Sequence, residues 1–340
     1  MLAPRTGTIL KHLVRQYIET AEPVSSQTIA NRTDLGVSSA TIRNEVAHLE
    51  QEGYIIHPHT SAGSVPSDKG YRYYVESLEN IKLPAAQQFM ISHVFHQVER
   101  EIDKWLSLTA TLLAQLVQNM AIVTIPKPVD CKFKHMELVS LQDFLALVVL
   151  VLYGAKVKQK LITFDQVISQ SKLAVISNKL NTAYSGLTGK QILTKVIELF
   201  PVEKQITDHL VEVMQAEDER EYEEPYFDGL HFILGQPEFA HGQRLQALME
   251  LVENRNLLKI IVPTKLSKQT VQVVIGKENK AEAIQDYSVV ISQYGLPDEV
   301  AGTIGVVGPT RMPYYHAIPT VDYISSVLSQ LVAGLHEKDS

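Results

Sequence analysis

The chain has 340 residues, 45% of them hydrophobic, which is enough for two or three domains with their own buried cores. Its formal charge of −7 excludes a general nucleic-acid coat protein, whose surface would be basic throughout, and leaves only a local basic face possible. The single cysteine, Cys131, excludes an internal disulfide framework, and the N-terminal stretch has no uninterrupted apolar region of the kind a signal peptide needs.

A lone thiol fits a reducing compartment, and the cytoplasm is the expected location. In residues 6–20, Ile9, Leu10, Leu13, Val14, Tyr17 and Ile18 form one wide apolar stripe at helical period. After Pro23, Ser25 or Ser26 opens a short second helix in SSQTIANRT by accepting from the free amides at its start. Gly36 in TDLGV permits a tight connection, and Ser38 caps a third helix that turns Ile42, Val46 and Leu49 inward and closes at Gly53. Tyr54, Ile55 and Ile56 read as a strand, SAG at 61–63 as a turn, and Val65 as the start of a return strand. Beyond Pro66, Ser67 or Asp68 caps a fourth helix with Tyr71, Tyr74, Val75 and Leu78 on one face.

Residues 85–122 carry the longest periodic pattern: Ile91, Phe95, Val98, Ile102, Trp105, Thr109, Leu112 and Leu116 alternate steps of four and three. Such a seam can pair two chains, but a single helix laid along a sheet gives the same pattern and is the commoner outcome. Pro126 and Pro128 end it, and strand-like runs follow at 133–141, 144–153 and 156–164 as an antiparallel meander. The middle run, FLALVVLVLY, is about half of the ~20 residues a helix needs to cross a bilayer, so no membrane association is expected. A mainly helical stretch spans 166 to about 216, and EDEREYEE at 217–224, with six carboxylates in eight residues, reads as a solvated loop. RLQALMELVEN at 244–254 is a further helix, strands return at 257–262, 270–275, 287–293 and 302–307, and Leu328 and Leu331 lie on a final helix. Sheet-forming sequence before and after 166–256 marks that segment as an insertion into one sheet domain.

Three helices, a two-stranded flap and a helix make a winged helix-turn-helix pattern, in which the third helix enters the major groove. With Ile42, Val46 and Leu49 inward, Ser39, Ala40, Arg43, Asn44 and Ala47 lie on or beside the opposite face. Arg43 suits a bidentate contact to guanine, Asn44 one to adenine, and Ser39 or Thr41 a phosphate or a thymine methyl. Residues 1–80 hold seven Lys/Arg against nine Asp/Glu, so bulk attraction cannot hold DNA, and affinity has to come from well-placed contacts doubled by dimerisation. His57 and His59 lack a third ligand at useful spacing, so no metal is expected. GTIGVVG at 302–308 is not a dinucleotide-binding order, and GLTGKQ at 186–191 lacks the phosphate-loop spacing. Cys131 has no activating pair and no nucleophile–base pattern appears, so neither enzyme chemistry, catalytic residues nor a cofactor is expected.

SSATIRNEVAHLEQEGYI, followed by PHTSAG and PSDKGYRYYV, resembles the heat-inducible transcription repressor family, HrcA. The likeness continues through YFDGLHFILGQPEF (226–239), IGKENK (275–280) and GTIGVVGPTRMPYY (302–315), and so covers nearly the whole chain. The resemblance implies a homodimeric bacterial repressor that binds an inverted-repeat, double-stranded DNA operator upstream of chaperone operons, with the GroE chaperonin as a partner that keeps it active. Its DNA-binding residues are then Ser38, Ser39, Thr41, Arg43 and Asn44 on the third helix, Thr60, Ser61, Ala62 and Gly63 in the wing, and Lys69 and Arg72 after it. Two positions depart from the family: Ser64 where a basic residue is usual, which removes an expected wing contact to phosphate, and Pro313 where an acidic one is usual.

The expected fold class is α+β: an N-terminal winged helix-turn-helix domain (1–80), a long linker helix (85–125), and an antiparallel sheet domain (126–165 and 257–340), which the resemblance implies is GAF-like, interrupted by an inserted α/β domain (166–256), which the resemblance implies is the dimerisation domain. The alternative to a chaperonin-modulated repressor is a one-component regulator whose GAF-like domain binds a small ligand.

Overall fold

In the computed structural model, which describes residues 2–32, 38–59, 62–78, 81–98, 101–128, 130–153, 157–218, 225–239, 250, 271–296 and 300–339, the first four helices follow the apolar stripes of the sequence. Helix α1 (Pro4–Thr20) buries Ile9, Leu10, Leu13, Val14 and Ile18 and ends on Ala21 in the left-handed region. Helix α2 (Ser26–Arg32) starts where the Thr28 N–H donates to Ser25 Oγ, which makes Ser25 its cap. Helix α3 (Ser39–Gln51) is capped by Ser38 and buries Ile42, Val46 and Leu49. Strands β1 (Ile55–Ile56) and β2 (Val65–Pro66) form the antiparallel flap, and Ser67 caps α4 (Asp68–Glu76), which buries Tyr71 and Tyr74.

The expected linker helix is two helices. Helix α5 (Ala85–Gln97) ends at Val98 in extended backbone, and α6 (Ile102–Val117) begins after an extended Glu101. Both pack against the last helix, α11 (Tyr314–Asp339). The four-three spacing of apolar residues continues across the break because Ile91 and Phe95 of α5 and Trp105 and Thr109 of α6 are all buried, so the pattern could not register the turn. Gln118 in the left-handed region terminates α6, and β3 (Met120–Val123) follows with all four residues buried, where the periodicity had suggested the end of a helix. A short, wholly buried strand and a buried helical turn look alike in sequence.

The chain divides into two compact units: Met1–Pro126 with Glu224–Gly295 and Gly302–Ser340, and Lys127–Glu223 with Leu296–Ala301. The second unit opens with β4 (Lys127–Pro128), which pairs with Val300 and Ala301. It contains the meander β5 (Phe133–Gln142), β6 (Leu145–Leu152) and β7 (Val157–Thr163), followed by α7 (Gln170–Tyr184), α8 (Gly189–Thr194) and α9 (Pro201–Asp218). Every second residue of β6 is buried, and Ala146, Val148, Leu150 and Leu152 share a core with Leu173, Ile176 and Leu180 of α7 and with Ile206, Leu210 and Met214 of α9. The edge strand β5 is closed by amide side chains of α7. Asn181 accepts from Met136 N–H at 2.8 Å and donates to its carbonyl at 3.0 Å, while Gln170 accepts from Ser140 N–H and donates to the Leu138 carbonyl.

The first unit continues with β8 (Tyr226–Asp228), α10 (Leu230–Leu234), β9 (Gln272–Ile275), β10 (Tyr287–Leu296) and β11 (Val300–Pro309). Its antiparallel sheet has the order β8-β3-β11-β10-β9. One face packs Ala121, Val123, Val290, Ile304 and Val306 against Leu113, Val117, Ile324 and Leu328, and this core runs without a break into the core of α1–α4.

The meander 133–163 was expected to share a sheet with 257–340. Instead β5–β7 form a separate three-stranded sheet, and the interrupting unit begins at Lys127 rather than at 166. Period-two alternation identifies a strand but not its partner, and the partner of β11 is β3, with Ile304 facing Val123. The strand expected at 257–262, the helix at 244–254 and most of the acidic run lie outside the described residues.

Candidate nucleic-acid interface

Helix α3 is built to present one face. Ser38 has extended backbone, accepts from the Thr41 N–H at 3.2 Å and lies 3.0 Å from the Thr41 hydroxyl, so two polar groups at the helix entrance are held in place. Ile42, Val46 and Leu49 fasten the helix to α1, and Ser39, Ala40, Arg43, Asn44 and Ala47 are exposed on the other side. Among the described residues, the side chains of Arg43 and Asn44 have no hydrogen-bond or ion-pair partner. A guanidinium and a carboxamide at consecutive positions are thus offered to solvent beside a small, uncharged helix start, which suits close approach to a groove.

Sequence reading missed the group that fixes this helix. Glu45 Oε1 accepts from Arg5 Nε at 2.9 Å, and Oε2 accepts from the buried Thr6 hydroxyl at 2.7 Å, joining α3 to the first turn of α1. The Thr6 and Arg5 hydrogen bonds hold the Glu45 carboxyl below the usual carboxylate range. Nothing local marks this residue, because its partners are 39 and 40 positions away.

In the flap, Val24 and Ser64 exchange backbone hydrogen bonds at 2.9 and 2.8 Å, adding a third short segment to β1 and β2. Gly63 runs so close to this segment that a Cβ there would sit 2.6 Å from the Val24 carbonyl carbon. Ala62 and Gly63 are half-buried, whereas Thr60 and Ser61 lie outside the described residues.

Ser64 corrects the expectation that it stands where a wing cation would meet phosphate. It is 2% exposed, with its hydroxyl 3.0 Å from His57 Nε2, and His57 Nδ1 lies 2.8 Å from Glu50. The His57 ring thus bridges the Glu50 carboxylate and the Ser64 hydroxyl. His57 therefore braces the flap against the end of α3.

Lys69 and Arg72 have partners within the chain. Lys69 donates to the Glu52 carbonyl at 2.6 Å and lies 4.1 Å from the centre of the Tyr54 ring. Arg72 is directed at the sheet: Nε donates to Glu278 Oε1 at 2.8 Å, Nη2 to Glu278 Oε2, and Nη2 also to the Val273 carbonyl at 2.7 Å. The structure brings Ser38, Ser39, Thr41, Arg43 and Asn44 together on one helix and puts Lys69 and Arg72 to structural use. Pro313, the second departure, precedes α11, and its carbonyl accepts from the His316 and Ala317 N–H groups at 2.9 Å. An acidic residue would serve such a helix start through its carboxylate, and proline serves it through a fixed φ.

Comparison with known proteins decides the family. Residues 103–318 match the HrcA protein C terminal domain, and residues 10–72 match an HTH domain. The heat-inducible transcription repressor HrcA of Dehalococcoides mccartyi is 55% identical over 99% of this chain and 98% of its own. The chain belongs to the HrcA family of heat-inducible transcription repressors. The HrcA repressor of Roseiflexus castenholzii is 39% identical over 98% of this chain and 96% of its own. A crystal structure of a hypothetical protein shares the fold at a TM-score of 0.60 and 24% identity, covering 98% of each chain. The α1–α4 head of this HrcA-family chain accordingly carries its helix-turn-helix DNA-binding domain. Among the described residues no helix is long and apolar enough to cross a membrane.

Proposed function

We propose that two copies of the chain bind an inverted-repeat operator of chaperone genes in the cytoplasm, each α3 reading one half-site, and that the GroE chaperonin and heat set the supply of active dimer. The exposed Arg43–Asn44 face behind the Ser38 cap carries this reading. Dimerisation is supported by the outer face of the β5–β7 sheet, where Val139, Leu147 and Leu161 stand in one cross-strand row and Leu161 is 56% exposed. An apolar sheet face of this kind suits a partner, which favours the unit 127–223 for the dimerising role. The sheet of the first unit takes the part of the GAF-like domain.

The ligand-sensing alternative has one feature in its favour: a cleft of about 410 Å³ beside Ile18, lined by Gln118, Asn119, Gln236 and Arg311. The charge of Arg311 is already met by Glu238 at 2.6 Å, so the cleft offers no strong selectivity for an anion, and the repressor reading is preferred. A gel shift with an inverted repeat and a scrambled duplex, with and without chaperonin and ATP, tests the proposal. Preference for the repeat supports it, equal binding of both duplexes refutes it, and a requirement for a small molecule promotes the alternative. Arg43→Ala should lower discrimination at one base pair by about 1–3 kcal/mol, whereas an equal loss on all DNA would make Arg43 a phosphate contact.

A further inference from the structure

Two motifs far apart in sequence, DKGYR at 68–72 and GKE at 276–278, meet in space. Arg72 grips both oxygens of Glu278 and, through the same Nη2, the Val273 carbonyl of β9. Asp68 Oδ2 accepts from the Lys277 N–H at 3.0 Å. Gly276 has φ +52, and a Cβ there would collide with the Asp68 carboxylate, so the turn is shaped to receive this side chain. Next to the contact, the buried Tyr71 and Tyr314 rings lie 6.1 Å apart. Arg311 adds a further tie, donating to the Ile18 carbonyl of α1 at 3.0 Å while held by Glu238. Carboxylate, backbone and aromatic contacts thus tie the head to the sheet and to α11.

We infer that the Arg72–Glu278 pair, together with Asp68 on the 276–278 turn, is a clasp that orients the DNA-reading head, making Arg72 a positioning residue for operator recognition and not a phosphate contact. The inference rests on the reading of the chain as an operator-binding dimer. In that setting the direction of each head decides whether both α3 helices meet the two half-sites at once, and misdirected heads forfeit the gain from bivalent binding.

Glu278→Gln separates the two roles of Arg72. If Arg72 touched DNA, removing its intramolecular partner would free it and tighten binding on every duplex. As a clasp, Glu278→Gln and Arg72→Gln each weaken binding to the full repeat by at least about tenfold. Neither changes binding to an isolated half-site, and the double variant is no worse than either single one. Both should also relax the preference for half-site spacing.

A measurement without DNA keeps this separate from the operator reading. Spin labels at His12→Cys and Lys280→Cys in a Cys131→Ser chain, diluted with unlabelled protein, should give a narrow distance distribution that broadens on Arg72→Gln. An unchanged distribution would overturn the clasp even if the repeat is bound. A wild-type chain that shows the narrow distribution but no preference for the repeat would overturn the operator reading alone.

Discussion

Replacing Glu45 with alanine cuts the link between the reading helix and α1, and its cost can be worked from the surroundings. Thr6 is 3% exposed and donates its hydroxyl to Glu45, so the substitution strands a buried donor, at about 1–3 kcal/mol. The Arg5 side chain is 54% exposed, so its ion pair adds only about 0–1 kcal/mol. The total is about 2 kcal/mol, which for a unit of this size lowers the melting temperature by roughly 4–8 °C at neutral pH. In a Thr6→Val background, where no hydroxyl is left to strand, the loss should fall to about 1 kcal/mol. The sign of the pH dependence follows from the depressed carboxyl of Glu45. Its stabilising contribution is fully present above the unfolded value of about 4.3 and disappears as pH falls through the lower folded value. Thermal melts of wild type and Glu45→Gln should therefore differ at pH 7 and converge in acid. Equal melting temperatures at pH 7, or a gap that persists undiminished to about pH 3, would refute this account.

Ser64→Arg should destabilise the head by about 1–3 kcal/mol through overpacking, with no steeper salt dependence of DNA binding; tighter operator binding with a steeper slope would show that the side chain reaches phosphate. Leu161→Lys places a charge in the exposed apolar row of β5–β7 and should shift the chain to a monomer in sedimentation, whereas an unchanged dimer would move the interface elsewhere. Burial, aided by Asp218, pushes the Cys131 thiol up to about 12, so at pH 8 only about one molecule in 10⁴ carries a thiolate. Iodoacetamide should label the folded chain slowly and the denatured chain fast, and rapid labelling of folded protein would contradict the burial of Cys131.

The head was legible in sequence because each of its signals is local. The stripe Ile42, Val46, Leu49 repeats at helical period, and Ser38 and Ser67 stand where their side chains can reach the amides three residues on. What failed was relational. Heptad spacing survives a turn, so α5 and α6 read as one helix, and alternation in 133–163 did not say which strands those residues would join. The family resemblance set Arg72 and the Ser64 position on the DNA side. Their partners, His57 across the flap and Glu278 at 206 residues' separation, are fixed only by the fold. The exposure of Arg43 and Asn44 was recoverable because the outward face of α3 follows directly from the helical repeat.

The internal engagement of the head's cations has a consequence for how such a protein would search a chromosome. Arg5, Arg15 and Arg72 each face a carboxylate and Lys69 lies over a tyrosine, so the charge that would ordinarily cling to any duplex is largely spent within the molecule. Each phosphate left uncontacted removes about 0.9 from the slope of log affinity against log salt. The vast excess of unrelated chromosomal sequence would then be a weak competitor, and few copies would be lost to it. If the proposed dimer is the binding form, occupancy of the target would follow up to the square of the amount of intact chain, so halving the folded protein on heating would cut it by up to about fourfold without any change in ionic conditions.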